Sequence, residues 1–464
     1  MRGNFVACHH FSTIERPLLS AVLYTSPMTR HLLTLAARTL AALTLATCLL
    51  TACLLATSLA AQDLTPAKPE SVGLSSERLD KIATFVQRGI DQKRIAGAVT
   101  LVARRGHVAW LKAQGMLDRE AGTPMRTDAI FRICSMSKPI TSLAVMMLYE
   151  EGTFLLDDPV WKYIPEFRNP KVLVKSASGA AYTIPATKEI TIRNLLTHTS
   201  GITYTWNPDL GPLYKNAKVA DGLIQYDGTI EDSVKHLAGL PLLFNPGERF
   251  EYSLGVDVLG YLVEVISHQS FYEFLRARVF NPIGMKDTYF YIPADKQNRL
   301  AAAYTWYPDK GLARFPDSPI VEGPFSYSAD YPTRGPKKLY SGGAGLCSSA
   351  EDYARFCQLM LDGGKLGNTR LLSRKTVELM THDQLGKISS DQAFGLGFGI
   401  AGVKGPLSEL GSPGEYNWGG FFYTTFSIDP KEQMITIFMA QMHPDSGRDF
   451  EGEVHNLAYQ AIID

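Results

Sequence analysis

The chain has 464 residues, with 46 basic side chains balanced by 46 acidic ones, 45% apolar residues and 20% charged residues. These are the proportions of a globular protein long enough to bury a large core without disulfide or metal staples. A neutral balance without runs of like charge leaves no footprint for nucleic acid, so nucleic acid is excluded as a partner.

Residues 1–61 stand apart from this average. Between Leu32 and Ala61 the only charge is Arg38, and Thr39 to Leu59 is almost wholly Ala, Leu and Thr. Arg30, His31 and Arg38 stand before the apolar run, and Ser58, Ala60 and Ala61 close it. Basic start, apolar middle and small-residue end predict a secretion signal over 1–61 that is removed near Ala61, with Met28 as an alternative start. A spanning helix competes, because 21 residues would cross a bilayer. Leu50-Thr51-Ala52-Cys53 resembles a lipobox, which would put a lipid on Cys53; the apolar Leu54-Leu55 behind it argues for simple cleavage. The expectation is an exported protein, periplasmic or secreted, touching membrane only through a lipid on Cys53 if that site is used. The mature chain keeps Cys134, Cys347 and Cys357, an odd number without metal-type spacing, expected to be buried small hydrophobes.

Glu77 to Arg88 places Leu79, Ile82, Ala83 and Val86 on one face and predicts an amphipathic helix. Ala96 to Ala103 and Val108 to Gly115 are apolar runs around Arg104-Arg105-Gly106-His107, a hairpin pattern. From Lys138 to about Ala238 the chain reads as helical segments between Pro- and Gly-rich loops, and Leu259 to Ile266 and Phe271 to Val279 as further helices. Residues 296–340, rich in Tyr, Pro and Gly, are expected to be irregular surface structure. Ser349 to Leu361 begins with a Ser and acids and spaces Tyr353, Phe356, Cys357 and Met360 as one helix face. Phe394 to Gly402, Phe421 to Ile428 and Met434 to Gln441 read as strands, and Phe450 to Ile463 as a closing helix. The fold class expected is α/β in the α+β sense. An antiparallel sheet from N- and C-terminal strands (62–138 and 340–464) is flanked by helices, and a mostly helical region (139–339) is inserted.

Several chemistries have no motif to carry them: G-x-S-x-G, H-E-x-x-H, C-x-x-C and the P-loop are all absent. No cofactor and no metal are expected. Ser135-Met136-Ser137-Lys138 remains, a hydroxyl and an amine one helical turn apart. A serine hydroxyl needs a neighbour to take its proton, and the spacing supplies one. The apolar run Ile140 to Leu148 follows, with Pro139 tolerable only in a first turn, so Ser135 is placed at the N-terminus of a buried helix. There a serine is equally a plain helix cap. Tyr252-Ser253-Leu254 stands before another apolar helix, and Trp418-Gly419-Gly420 opens the strand at Phe421. His198, among threonines, reads better as a structural turn histidine than as a general base. Gly342 to Gly345 is expected to shape the floor of a cleft.

Taken in order, these segments resemble the three signatures of the serine β-lactamase and penicillin-binding superfamily: S-x-x-K, Y-x-N and K-T-G. The resemblance is nearest to family VIII carboxylesterases and other class C β-lactamase-like serine hydrolases, in which W-G-G often fills the third place. It extends from about Glu70 to the C-terminus. It implies a β-lactamase/transpeptidase-like fold, with Ser135 as the acyl-forming nucleophile and Lys138 and Tyr252 sharing its proton. It implies an oxyanion hole from the backbone amides of Ser135 and Phe421, and substrate contacts at Trp418, Gly419, Gly420 and Leu254. Two positions depart from the pattern: the Y-x-N asparagine is Leu254, and the K-T-G lysine is Trp418. Losing those polar groups removes partners for an amide and a carboxylate. The expectation is therefore an enzyme for neutral, short-chain carboxylic esters, with a β-lactamase, D-aminopeptidase or other amide hydrolase as the alternative. A non-catalytic ligand-binding module is the rival from another class.

Overall fold

The structure, a computed structural model, describes residues 64–464 apart from 408, 445 and 448. The predicted export signal, Met28 and Cys53 lie outside the described residues.

The principal sheet takes strands from both ends of the chain. Its strands are β1 (Thr65–Pro66), β2 (Gly97–Arg104), β3 (His107–Asp118), β4 (Gly399–Ile400), β5 (Tyr416–Gly420), β6 (Thr424–Asp429) and β7 (Met434–Met439). They lie in the order β1-β3-β2-β7-β6-β5-β4, with the short Thr123–Pro124 strand pairing beside β3. Every pairing along this order is antiparallel except the edge pair Thr65↔His107 and Pro66↔Val108, so the sheet is mixed at one edge.

Both faces of the central strands are covered. All eight residues of β2 and all six of β7 are buried. Because side chains alternate across a strand, Ala98, Val102, Met434 and Phe438 join one apolar cluster while Val99, Leu101, Ile435 and Ile437 join another. The first cluster is roofed by helix α1 (Ser76–Asp91), whose buried stripe is Leu79, Ile82, Ala83, Phe85 and Val86. Ser75 caps this helix by accepting from the Arg78 N–H, as expected of a serine at that position. The closing helix Phe450–Gln460 packs beside it, with the Phe85 and Phe450 rings 5.2 Å apart.

The second cluster is filled from the opposite side by α2 (Ser137–Glu150), α3 (Gly255–Ser267) and α4 (Ala350–Leu361). Twelve residues of α2, from Ser137 through Leu148, are buried, as befits a helix apolar on all sides. Ser349 caps α4 by accepting from the Asp352 N–H, and Tyr353, Phe356, Cys357 and Met360 are buried as their spacing predicts. Layering is thus helices, sheet, helices, in agreement with the expected class.

Four expectations need correction. Phe394 to Gly402 is strand only at Gly399–Ile400, and the stretch from Lys138 to Ala238, part of the region expected to be mostly helical, also holds a hairpin, Lys171–Lys175 with Ala181–Pro185. Residues 296–340 are not irregular surface: they hold two hairpins, Tyr304–Tyr307 with Gly311–Arg314 and Ile320–Glu322 with Phe325–Tyr327. Tyr304, Tyr327 and Tyr331 from this region are buried, so its aromatics form core. The run Phe421 to Ile428 is not one strand: Trp418-Gly419-Gly420 ends β5, residues 421–423 turn, and β6 begins at Thr424. Tyr423 occupies the left-handed region at φ 65°, which a tight reversal demands and which no local pattern announces.

Candidate active site

Ser135 lies in a short 3-10 turn, Cys134–Met136, leading directly into α2. The nucleophile candidate therefore precedes the α-helix proper instead of capping it. Cys134, just before it, is held at φ 43°, an uncommon setting for a non-glycine residue and one that tends to collect at functional sites. The turn is pinned from several sides. The Tyr353 hydroxyl donates to Met136 O at 2.9 Å, Leu346 N–H donates to Ser137 Oγ at 3.1 Å, and Ile133 N–H donates to Leu346 O at 3.1 Å.

Lys138 is only 1% exposed, and its ammonium meets three oxygens: Ser135 Oγ at 3.3 Å, Tyr204 Oη at 2.8 Å and Gly343 O at 2.8 Å. An ammonium has three N–H groups, and all three are used. Ser135 and Lys138 are thus brought together as the spacing requires. The Gly342–Gly345 loop lies against the lysine: a Cβ on Gly343 would sit 2.6 Å from Asp257 Oδ2 and 3.5 Å from Lys138 Nζ. Asp257, on α3, accepts from the Ser341 hydroxyl at 2.6 Å and holds this loop; burial pushes its carboxyl up while Lys138 opposes the rise.

Tyr252 stands beside the lysine, with Lys138 Nζ 4.5 Å from its ring centroid, and its hydroxyl receives the Trp418 indole N–H at 3.4 Å. Trp418 therefore touches the tyrosine, a role beyond the expected contact with substrate. Tyr252 is held through its neighbours. Ser253 N–H donates to His198 Nδ1 at 3.2 Å, Leu254 N–H to Thr203 O at 3.3 Å, and the His198 ring lies 4.8 Å from that of Tyr252. His198 is fully buried, and burial together with Lys138 holds it well below the ordinary histidine range, so it is neutral. A neutral ring spending Nδ1 on a backbone amide is a structural histidine, as its setting suggested.

Leu254 is the one substrate-contact expectation that the structure relocates. Its side chain is 1% exposed and packs in the main core at the start of α3, so it supports the cleft without lining it.

The end of β5 lies against the serine turn. A Cβ on Gly420 would come within 2.4 Å of Ile133 O, whereas one on Gly419 would meet nothing nearer than 3.5 Å. Gly420 thus permits the approach of two backbones, and Gly419 leaves one face of the strand open. Phe421 follows on the turn, its ring stacked 3.7 Å from that of His443 and 6.1 Å from Phe325.

One residue escaped the sequence reading: Tyr204. It gives Lys138 a closer contact than Ser135 does, and its ring stacks on Trp206 at 3.9 Å and 7°. Burial, with Tyr252, Asp257 and Asp221 nearby, holds its hydroxyl well above the ordinary tyrosine range, so it remains a neutral phenol. Only its place six residues after His198 pointed toward it. Among the described residues no group of three or more His, Cys, Asp or Glu is placed to hold a metal ion, and no helix is long and apolar enough to cross a membrane. The three cysteines among the described residues are free and buried, and burial pushes the Cys134 and Cys347 thiols up to about 12.

Comparison with known proteins places the chain in a family. The beta-lactamase family profile matches residues 82–460. The chain belongs to the beta-lactamase family. Esterase EstB of Burkholderia gladioli is 34% identical over 359 residues, covering 76% of this chain and 86% of EstB. A putative D-alanyl-D-alanine carboxypeptidase of Escherichia coli (strain K12) is 28% identical, covering 82% of this chain and 86% of that protein. Among solved structures, EstCE1, a hydrolase with promiscuous acyltransferase activity, superposes with a TM-score of 0.71 at 27% identity. That match covers 84% of this chain and 99% of EstCE1. The family membership and the fold implied by the three sequence signatures are thereby established.

Proposed function

We propose that this member of the family is a serine hydrolase that cleaves carboxylic esters through a covalent acyl intermediate on Ser135. The observation that carries the proposal is the buried Lys138 ammonium, fixed by Tyr204 and Gly343 O within 3.3 Å of Ser135 Oγ. In its neutral amine form this nitrogen takes the Ser135 proton as Oγ attacks a carbonyl, and so becomes the ammonium. Its neutral phenol makes Tyr204 an orienting partner of the lysine and unsuited to act as the base. The Tyr252 oxygen accepts from Trp418, which leaves its own proton directed away from the indole, where it can pass to the departing alcohol. The amides of Ser135 and Phe421, on two backbones in contact at Ile133 and Gly420, would receive the oxyanion.

Esters are favoured over β-lactams and D-alanyl peptides because Trp418 occupies the place of a carboxylate-binding lysine, and a site without the cation gains nothing from a substrate carboxylate. Short acyl chains are favoured because Trp206, Phe325 and Phe421 pack on the apolar cluster that holds Cys134, the residue before the nucleophile. The names EstB and EstCE1 support the ester reading, and the carboxypeptidase relative supports the alternative of amide hydrolysis on the same machinery. The apolar run and small-residue end of residues 1–61 support export with cleavage near Ala61, or lipidation at Cys53, and N-terminal sequencing of natively expressed protein decides between them.

The test of activity is kcat/KM on p-nitrophenyl esters of increasing acyl length beside nitrocefin and a D-Ala-D-Ala peptide, with intact-mass detection of the acyl adduct. Faster turnover of the best ester, with the adduct mapped to Ser135, is expected. Nitrocefin or the peptide exceeding every ester would replace the proposal with the amide-hydrolase reading.

A further inference from the structure

The two amides assigned to the oxyanion hole come from segments far apart in sequence, and a hole works only if both are held at one spacing. One side chain touches both segments. Gln441, just past β7 and 5% exposed, accepts at Oε1 from Arg132 N–H at 3.1 Å and from Arg132 Nη1 at 3.1 Å. Its two Nε2 hydrogens face three carbonyls, Arg132 O at 3.1 Å, Ala440 O at 2.9 Å and, shared at the outer limit, Phe422 O at 3.5 Å. Met442 N–H reinforces the last contact by donating to the same Phe422 carbonyl at 3.2 Å. Arg132 lies three residues before Ser135, and Phe422 is bonded to Phe421.

Arg132 is itself a rigid anchor. It is 3% exposed, its Nη1 also donates to Ala301 O at 3.0 Å, and its Nη2 donates to Ala329 O. Its strand pairs with Cys347–Ser348. A guanidinium whose Nη atoms meet backbone carbonyls and one amide, whose Nε meets no partner, and which forms no ion pair among the described residues is an expensive group to bury for stability alone. Its planar fork, however, fixes the orientation of the glutamine amide.

We propose that Gln441, oriented by Arg132, is a positioning residue that sets the distance between the Ser135 and Phe421 amides. The proposal rests on the reading of those two amides as the oxyanion hole. Losing a hole donor outright costs about 10²–10³ in kcat, and loosening one costs less.

The experiment compares the wild-type protein with Gln441→Ala and Arg132→Met, reading kcat and KM on p-nitrophenyl acetate, the Kd of phenylboronic acid and Tm. The boronate becomes tetrahedral on the serine and places an oxygen where the oxyanion would be. In Gln441→Ala, kcat should fall about 10- to 100-fold with KM within about threefold, and boronate affinity should fall by the same factor as kcat/KM. Arg132→Met keeps the buried stem and the backbone N–H that donates to Oε1, with Tm reporting its fold, and its losses should have the same pattern and be smaller. Unchanged kcat in either folded variant, or lost kcat with unchanged boronate affinity, overturns the proposal. Ser135→Ala separates the two levels: if that variant still turns over the ester, the acyl-serine reading itself fails, whatever Gln441 does.

Discussion

Replacing Gly420 by alanine puts a methyl group where two backbones already touch. The added Cβ would lie 2.4 Å from Ile133 O and 2.3 Å from Thr424 Oγ1. The threonine hydroxyl can rotate away, but the Ile133 carbonyl accepts from Met136 N–H at 3.0 Å in the turn around Ser135 and cannot. An ordinary carbon–oxygen contact of about 3.3 Å would need these backbones to part by about 0.9 Å. That displacement moves Phe421 away from the Ser135 turn, and a misplacement near 1 Å costs about 10²-fold in a positioned reaction. The neighbouring Gly419 supplies the control: its Cβ would meet nothing nearer than 3.5 Å. The assay is kcat/KM on p-nitrophenyl acetate for Gly420→Ala and Gly419→Ala, with Tm measured alongside. Gly420→Ala should lose about 10²-fold, and Gly419→Ala less than about threefold for a small ester. Equal activities in the two variants would refute the claim that contact at Ile133 sets the geometry of the site.

Ser135→Ala and Lys138→Ala should each remove about 10³-fold or more of kcat, because they act as one unit and their losses do not add; steady-state rates on one ester decide it. Tyr204→Phe should lower kcat about 10- to 100-fold by releasing the lysine, with KM nearly constant, and a silent change would remove Tyr204 from the mechanism. Trp418→Lys restores a cation and deletes the donor to Tyr252, so the ratio of nitrocefin to ester turnover should rise about tenfold; a ratio that stays put would mean Trp418 does not select the substrate. His198 is depressed by burial from its ordinary 6.5, so the unfolded state binds its proton first. Its contribution to stability is therefore complete above about pH 6.5 and is lost as pH falls below that, at up to about 1.4 kcal/mol per pH unit. Urea midpoints between pH 7 and 5 should fall, and less so in His198→Asn, which tolerates the φ of 54° and still accepts from Ser253 N–H.

The sequence was most legible where the information is local. The stripe of α1, the cap of α4 and the S-x-x-K spacing each follow from one or two helical turns, and the structure places them as read. It was least legible where a residue's neighbours are remote. Tyr204 reaches Lys138 across 66 positions of sequence, through a loop whose shape depends on His198 at φ 54° and on backbone bonds to residues 251 and 254. No periodicity encodes such a meeting. Leu254 illustrates the opposite error. The motif places its side chain with the substrate, but it begins a helix that is apolar on all sides, and the core claims it. In residues 296–340, Tyr, Pro and Gly suggested surface irregularity, yet the tyrosines are the large apolar surfaces that the short hairpins bury.

Trp418 joins these scales of legibility to chemistry. Its departure from a lysine is visible in the sequence alone, and the loss of a carboxylate partner follows from side-chain chemistry. What replaces the cation is visible only in three dimensions. The indole N–H reaches the Tyr252 oxygen at 3.4 Å, and the ring packs edge-on at 5.2 Å from Phe394, which in turn flanks His198 at 5.4 Å. The same His198 holds the backbone of Ser253, next to Tyr252. A substitution that weakens binding of charged substrates thus also braces the tyrosine from the cleft side, while His198 braces it from behind. Specificity and proton transfer are coupled through one ring. For that reason a lysine at position 418, which brings a charge but lacks the ring that packs on Tyr252 and Phe394, should improve recognition of a carboxylate while slowing every substrate.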